Sequence, residues 1–397
     1  MAAGAEGALD AMRVLMLMDN YHQDEVGRFL FRLSQRLTPL PGLTLNSVAF
    51  EGGPLMDQLS SGAVGVRVLR LRRRRPVSQL RNAGRTLARR ADRPDVVHVF
   101  CRWPSLRWRL LIGGLEDVPA VWTPPEARRS TILQWIGRGL GAFSHFGGGR
   151  HGVREVMALL PGLRPRLPAP RGREAKLLVP GVDAVQTYPL PDFTRLRMRI
   201  LLNVDWETPL VAIPLHRWLT AYEEDWLIRM LVQLHDAVPE AVFCLVGVAM
   251  EGNSLHLMLE DAGLTAATRR IGPVPEYLPR VLGAADLAIL PFVNGGFHLY
   301  AAEAQAAGVP VLAVRSEDNS YFVREGETGM LVPRADGAAM RRAMTTMLED
   351  RERLRAMGEA GRRMVQEEFE AGLTARALLD LWNSLAPDAA VEYEIRA

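Results

Sequence analysis

Apolar residues in this chain fall into two alternating rhythms. Short apolar runs rich in Val, Leu and Ile read as strands buried on both faces, and the longer stretches between them show the 3.6-residue period of amphipathic helices. In the first half the strand pattern occurs at 13–18, 43–50, 66–71, 96–100, 120–123 and 175–179, with helical stretches such as 25–37 between. A second series follows at 210–214, 241–248, 287–290 and 309–314, separated by helical segments at 223–235, 254–262 and 276–284. Past Asp336 the pattern is helical, at 339–348, 352–367 and 373–385. Such alternation predicts an α/β protein with parallel, doubly wound sheets.

Two series predict two Rossmann-like domains facing each other across a cleft, with ligand at the carboxyl ends of the second half's strands. Residues 188–209 hold three prolines and no clean apolar period, so they are expected to link the halves. The expected division is a structureless lead-in at 1–11, a first domain at 12–187, the linker at 188–209, a second domain at 210–372, and a crossover helix with tail at 373–397. A length of 397 residues agrees with two domains. Hydrophobic residues at 48% and charged residues at 23% exclude a disordered or fibrous chain.

No apolar run approaches the ~18 residues of a membrane span, and the opening residues lack the basic and apolar regions of a secretory signal, so a cytoplasmic location is expected. Cys101 and Cys244 are too few for a disulfide framework or a thiolate metal site and read as buried structural thiols. Lys176 is the one lysine among 48 basic residues. Any phosphate chemistry elsewhere given to lysine must here use arginine or do without.

Basic charge is concentrated in 67–93, which holds eleven arginines against Asp92. Residues 72–75 are all arginine, and Pro76 opens a helical stretch with Arg81, Arg85, Arg89 and Arg90. Three readings stand: docking on anionic lipid at the inner membrane face, binding of nucleic acid, or a solvated surface. Val77, Leu80, Ala83 and Leu87 give the same helix an apolar face to pack on a sheet. Nucleic acid is the least favoured, because no aromatics interleave with the arginines.

The most informative stretch runs from Ile271 to Pro333. It contains Leu290-Pro291 at a strand end, Glu303-Ala304 on a helix of small residues, Gly-Val-Pro-Val at 308–311 and Gly-Glu-Thr-Gly-Met-Leu-Val at 326–332. With LLVPGVD at 177–183 and DVVHVF at 95–100, this order of motifs resembles glycosyltransferase family 4. The resemblance implies the GT-B fold, with the last helix crossing back onto the first domain. It also implies transfer of a sugar from a nucleoside diphosphate sugar, of UDP or GDP type, to an acceptor held by the first domain. Family members usually retain anomeric configuration and use no metal, so neither metal nor a separate cofactor is expected.

Candidate site residues follow from the residues and the resemblance together. Asn294-Gly295-Gly296 leads from a strand into the helix near 299–307, where free backbone N–H groups suit an anion, although the same residues also suit a plain tight turn. Gly295, Gly296, Phe297 and Leu299 are therefore placed beside the donor, and backbone around Arg270 to Val274, including Ile271 and Val274, along its base. The resemblance gives Glu303 the nucleotide ribose hydroxyls, against a reading as a solvent-facing helical Glu. Arg217, in PLHRWL, is the candidate clamp for the diphosphate, with His298 and His216 as neighbouring donors. The resemblance puts His22, in the polar loop 18–24, on the acceptor side of the cleft, where the loop's polar groups either bind an acceptor hydroxyl or merely fill the space a donor usually needs.

The chain also departs from the family pattern. Eight residues before Glu303, where the family has a second Glu, stands Gly295; His298 replaces a glycine; and Tyr222 stands where the family has the lysine that follows its arginine. Each missing charge-assisted contact is worth about 1.5–3 kcal/mol. These losses keep a second class open, a catalytically silent GT-B protein acting as partner subunit or ligand scaffold. His98, on a strand, is read as a satisfied core histidine more than a functional one.

Overall fold

The computed structural model describes residues 11–20, 25–69, 76–89, 93–101, 111–112, 115, 118–124, 153–159, 161, 164, 167, 175–215, 219–247, 254–272, 278–292 and 299–392. They form two compact units, one including Met1–Gly181 and Ala371–Ala397 (unit 1), the other made of Val182–Asn294 and His298–Glu370 (unit 2).

Unit 1 is built on a seven-stranded sheet, all parallel. Its strands are β1 (Met12–Asn20), β2 (Leu43–Glu51), β3 (Gly65–Val68), β4 (Val96–Phe100), β5 (Ala120–Trp122), β6 (Val153–Ala158) and β7 (Lys176–Leu177), in the order β3-β2-β1-β4-β5-β6-β7. The helices α1 (Glu25–Leu37), α2 (Leu55–Ser61) and α3 (Pro76–Arg89) lie between strands. On α3 Leu80 is buried, and Ala83 and Leu87 pack against the core under the sheet, while Arg85 faces water. Leu80, Ala83 and Leu87 thus lie on the inner side and Arg85 on the outer side, as expected of them, while residues 70–75, Arg90 and the side chains of Val77, Arg81 and Arg89 lie outside the described ones.

Unit 2 carries a six-stranded parallel sheet of β8 (Leu210–Pro214), β9 (Val242–Val246), β10 (Thr268–Ile271), β11 (Leu287–Leu290), β12 (Val311–Val314) and β13 (Gly329–Val332). Its order is β10-β9-β8-β11-β12-β13. The associated helices are α4 (Asp192–Leu201), α5 (Ala221–Ala237), α6 (Leu255–Asp261), α7 (Leu278–Ala284), α8 (Tyr300–Ala306), α9 (Glu317–Phe322), α10 (Gly337–Glu349) and α11 (Arg351–Glu368). Both sheets are doubly wound and Rossmann-like, as the alternation predicts.

The last helix, α12 (Ala371–Leu385), belongs to unit 1 and packs on α1. Its Trp382 is wholly buried and donates Nε1–H to His98 Nδ1 at 3.3 Å. An indole N–H only donates, so Nδ1 carries the lone pair. The His98 proton therefore sits on Nε2, 2.7 Å from Thr123 Oγ1, and the ring stacks on Phe100 at 4.0 Å. Full burial pushes the imidazole pKa down to about 3, keeping it neutral. His98 is thus a structural fastener of the returning helix, in line with its reading as a core histidine. Cys101 and Cys244 are both buried and not joined in a disulfide, and burial pushes the Cys244 thiol up to about 12.

Residues 188–209, expected to link the halves, instead belong to unit 2 and hold α4. The anchor is Arg199, fully buried, whose guanidinium donates to the carbonyls of Asp205, Thr208 and Ala284 and to Asp286. Asp286 also takes Arg195 and the Leu210 backbone N–H, so one carboxylate joins α4 to the first strand of the unit 2 sheet. No helix among the described residues is long and apolar enough to cross a membrane.

Candidate functional site

In a doubly wound sheet the ligand crevice lies outside the carboxyl ends of the two strands at which the order turns. In unit 2 those strands are β8 and β11, which pair directly through Leu287↔Val211 and Ala288↔Ala212. The chain leaves β8 into 215–220, which carries Arg217, and leaves β11 into 291–299, which carries Gly295 and Gly296. The two sequence-distant loops expected at one phosphate site therefore spring from neighbouring strand ends. Arg217, His216, Gly295, Gly296, Phe297, His298 and Val274 themselves lie outside the described residues, as does His22.

The bases of both loops are fixed. Thr220 and Glu223 form a reciprocal capping box at the start of α5: Glu223 N donates to Thr220 Oγ1 at 3.3 Å, and Thr220 N donates to Glu223 Oε2 at 2.9 Å. Phe292, just past β11, meets Trp226 of α5 with ring centroids 5.6 Å apart, so an aromatic contact spans the switch point. Glu224 accepts a hydrogen bond from Ser254 Oγ, tying α5 to α6. Tyr222 is exposed on α5.

On the next strand, Gly247 takes φ +92°, and a Cβ there would stand 2.2 Å from the Leu215 carbonyl oxygen. Only glycine allows β8 and β9 to end this close together. The Gly247 N–H donates to the Ile271 carbonyl at 2.9 Å, so the ends of β9 and β10 are joined as well. Ile271 itself is half-buried, pairs with Val246 in the sheet and has its carbonyl taken up by the Gly247 N–H. Arg270 before it has a buried Nη1 without a hydrogen-bond partner among the described residues. Sequence reasoning passed over Gly247, the Trp226–Phe292 pair and the Arg270 side chain; an isolated glycine at a strand end was the available signal for the first.

Glu303 lies one turn into α8, a helix buried along its whole length. Its side chain is 1% exposed, which corrects the solvent-facing reading. Burial follows from the neighbours: Ala301, Ala302, Ala304 and Ala306 present so little bulk that β11, β12 and α11 close in. On the α11 side, Gly358 approaches so closely that a Cβ would meet the Gly308 carbonyl oxygen at 2.0 Å. Gln305, also buried, donates Nε2–H to the Phe322 carbonyl at 2.5 Å and fixes α9 behind the helix. Leu299, at the N-terminal end of α8, is buried, and its carbonyl accepts from Glu303 N at 2.8 Å. A carboxylate carried this deep on a rigid helix is suited to accept hydroxyl donors from a polyol such as ribose.

In unit 1 the corresponding edge ends β1 with Asp19 exposed and Asn20 half-buried; residues 21–24 lie outside the described ones.

Residues 206–364 match the family described as Glycosyl transferases group 1. A GDP-mannose-dependent alpha-(1-6)-phosphatidylinositol monomannoside mannosyltransferase of Mycolicibacterium smegmatis is 33% identical over 201 residues, 49% of this chain and 52% of that protein. The chain thus spans about half the length of the curated relatives it matches. Among solved structures, Anabaena HepE in complex with UDP and glucose has a TM-score of 0.76 at 15% identity, covering 94% of this chain and all of that one. A glycosyltransferase from Rickettsia africae has a TM-score of 0.77 at 16% identity, covering 95% and 99%.

Proposed function

We propose that this chain, whose residues 206–364 match the group 1 glycosyl transferases and whose two units have the GT-B fold, moves a hexosyl group from a UDP or GDP sugar to an acceptor bound by unit 1. The observation that carries the reading is the origin of the Arg217 and Gly295 loops at adjacent strand ends, with the buried carboxylate of Glu303 behind them. In the reaction the bond between the anomeric carbon and the diphosphate oxygen breaks, the diphosphate keeps the electron pair, and an acceptor oxygen forms the new bond and gives up its proton.

The chain's part is to hold the leaving group. Arg217 takes the diphosphate, helped by backbone N–H groups at Gly295 and Gly296 and by His298, so that developing negative charge meets fixed donors. Glu303 accepts the ribose hydroxyls, the 270–274 backbone lines the base, and His22 serves the acceptor hydroxyl. Transfer is metal-independent and retains the anomeric configuration. The arginines of 67–93 face an anionic lipid surface, which fits an acceptor presented there.

The test is transfer itself: GDP-mannose and UDP-glucose, each with phosphatidylinositol monomannoside or inositol 3-phosphate as acceptor, in the presence of EDTA, with product configuration read by NMR. Product with the donor's anomeric configuration supports the reading. Tight donor binding without turnover on any acceptor would move the protein to the silent class.

A further inference from the structure

The large apolar side chains left in water are not scattered. Of the ten exposed among the described residues, seven lie between Val185 and Trp206. Four form one stripe on α4: Phe193 is 71% exposed, Leu196 39%, Ile200 65% and Leu201 76%. At about 100° per residue they share one arc of the helix, with Arg197 in its middle and Asp192 outside it. The opposite arc holds Arg195, paired with Asp286, and the buried Met198, Arg199 and Leu202. The usual amphipathic order is inverted, since arginines anchor the helix to its domain and the apolar side points away. Arg197 lies over the Phe193 ring at 5.8 Å, and Arg195 over the half-exposed Trp206 at 5.4 Å.

We infer that this face of α4 lies flat in the headgroup layer of an anionic phospholipid surface, with Phe193, Leu196, Ile200 and Leu201 immersed and Arg197 on a lipid phosphate. Ten residues rise only about 15 Å, which suits lying on a bilayer and not crossing it. A second copy of the chain fits the stripe less well. The four side chains expose roughly 400–500 Å² of apolar surface, about half of the ~800 Å² per partner that stable interfaces bury. A two-fold pairing about the stripe would also bring two Arg197 guanidiniums together within an arc of α4 that holds no carboxylate, Asp192 lying beside it. Lipid phosphate supplies the missing countercharge, and Trp206 has the amphipathic ring that favours the interface.

This contact is independent of the sugar-transfer reading and of the basic stretch 67–93, because salt screens arginine–phosphate attraction but leaves apolar immersion in place. The test is flotation of the full chain with phosphatidylcholine vesicles, with and without phosphatidylglycerol, at low and high salt. Wild type is expected to float with the phosphatidylglycerol vesicles and to keep part of that binding at high salt. The triple variant Phe193→Ser, Ile200→Ser, Leu201→Ser should lose the salt-resistant part by at least roughly tenfold, with unchanged melting temperature and nucleotide binding. Wild type that floats with neither vesicle, or a triple variant that floats as wild type does, overturns the inference. So does light scattering showing a wild-type dimer that the triple variant converts to monomer.

Discussion

Acid should weaken unit 1 through His98. The ring is neutral in the folded protein because burial holds its pKa near 3, whereas an unfolded chain has the ordinary value of 6.5. The unfolded state therefore binds the extra proton first. This contribution to stability is fully present above pH 6.5, falls as the pH drops below it, and levels off near pH 3. At pH 5 the loss is about 2 kcal/mol, from the ratio of the two proton-binding terms. Protonation at Nδ1 would also set an N–H against the Trp382 N–H at 3.3 Å, releasing the helix that returns from unit 2. The comparison is with His98→Gln, whose amide can still accept from Trp382 and donate to Thr123 but does not titrate. Urea unfolding followed by tryptophan fluorescence at pH 7.5 and pH 5.0 should show wild type losing about 2 kcal/mol more than the variant. Equal losses would refute the reasoning, as would an NMR titration of the His98 ring with a midpoint near 6.5.

Two further outcomes rest on backbone and charge. Gly247→Ala places a Cβ 2.2 Å from the Leu215 oxygen at a positive φ, and urea unfolding should show unit 2 weakened by about 2–4 kcal/mol; a change under about 0.5 kcal/mol would show that the strand ends separate freely. Asp286→Asn removes the countercharge of buried Arg199, at a cost of about 2 kcal/mol after allowance for the carboxylate's partial exposure. Its melting temperature should fall while that of the exposed pair variant Asp225→Asn, on Arg229, stays within a degree or two; equal behaviour of the two would contradict the buried anchor.

Much of this architecture is legible in the sequence because central parallel strands are apolar on both faces. The runs at 96–100 and 287–290 coincide with β4 and β11. Strands that carry charge escaped notice. β6 reads VREVMA, and β10 reads TRRI, with Arg269 spent on the carbonyls of Leu202 and Asn203. Helix α4 was hidden for a stronger reason: a pattern scan looks for apolar residues inside, and here the inner anchor is an arginine. At the candidate site, the alanines around Glu303 announced close packing, and the burial of Glu303 follows from them. The close approach of Gly358 to Gly308 beside α8 depends on a contact between residues fifty apart, which no local pattern encodes.

Equilibrium dialysis of UDP and GDP against wild type and Glu303→Ala bears most directly on the donor site. One of the two nucleotides should bind wild type, and the variant should bind it at least roughly tenfold more weakly, the loss of one charge-assisted contact. Neither nucleotide binding to wild type, or identical affinity in the variant, would contradict the account.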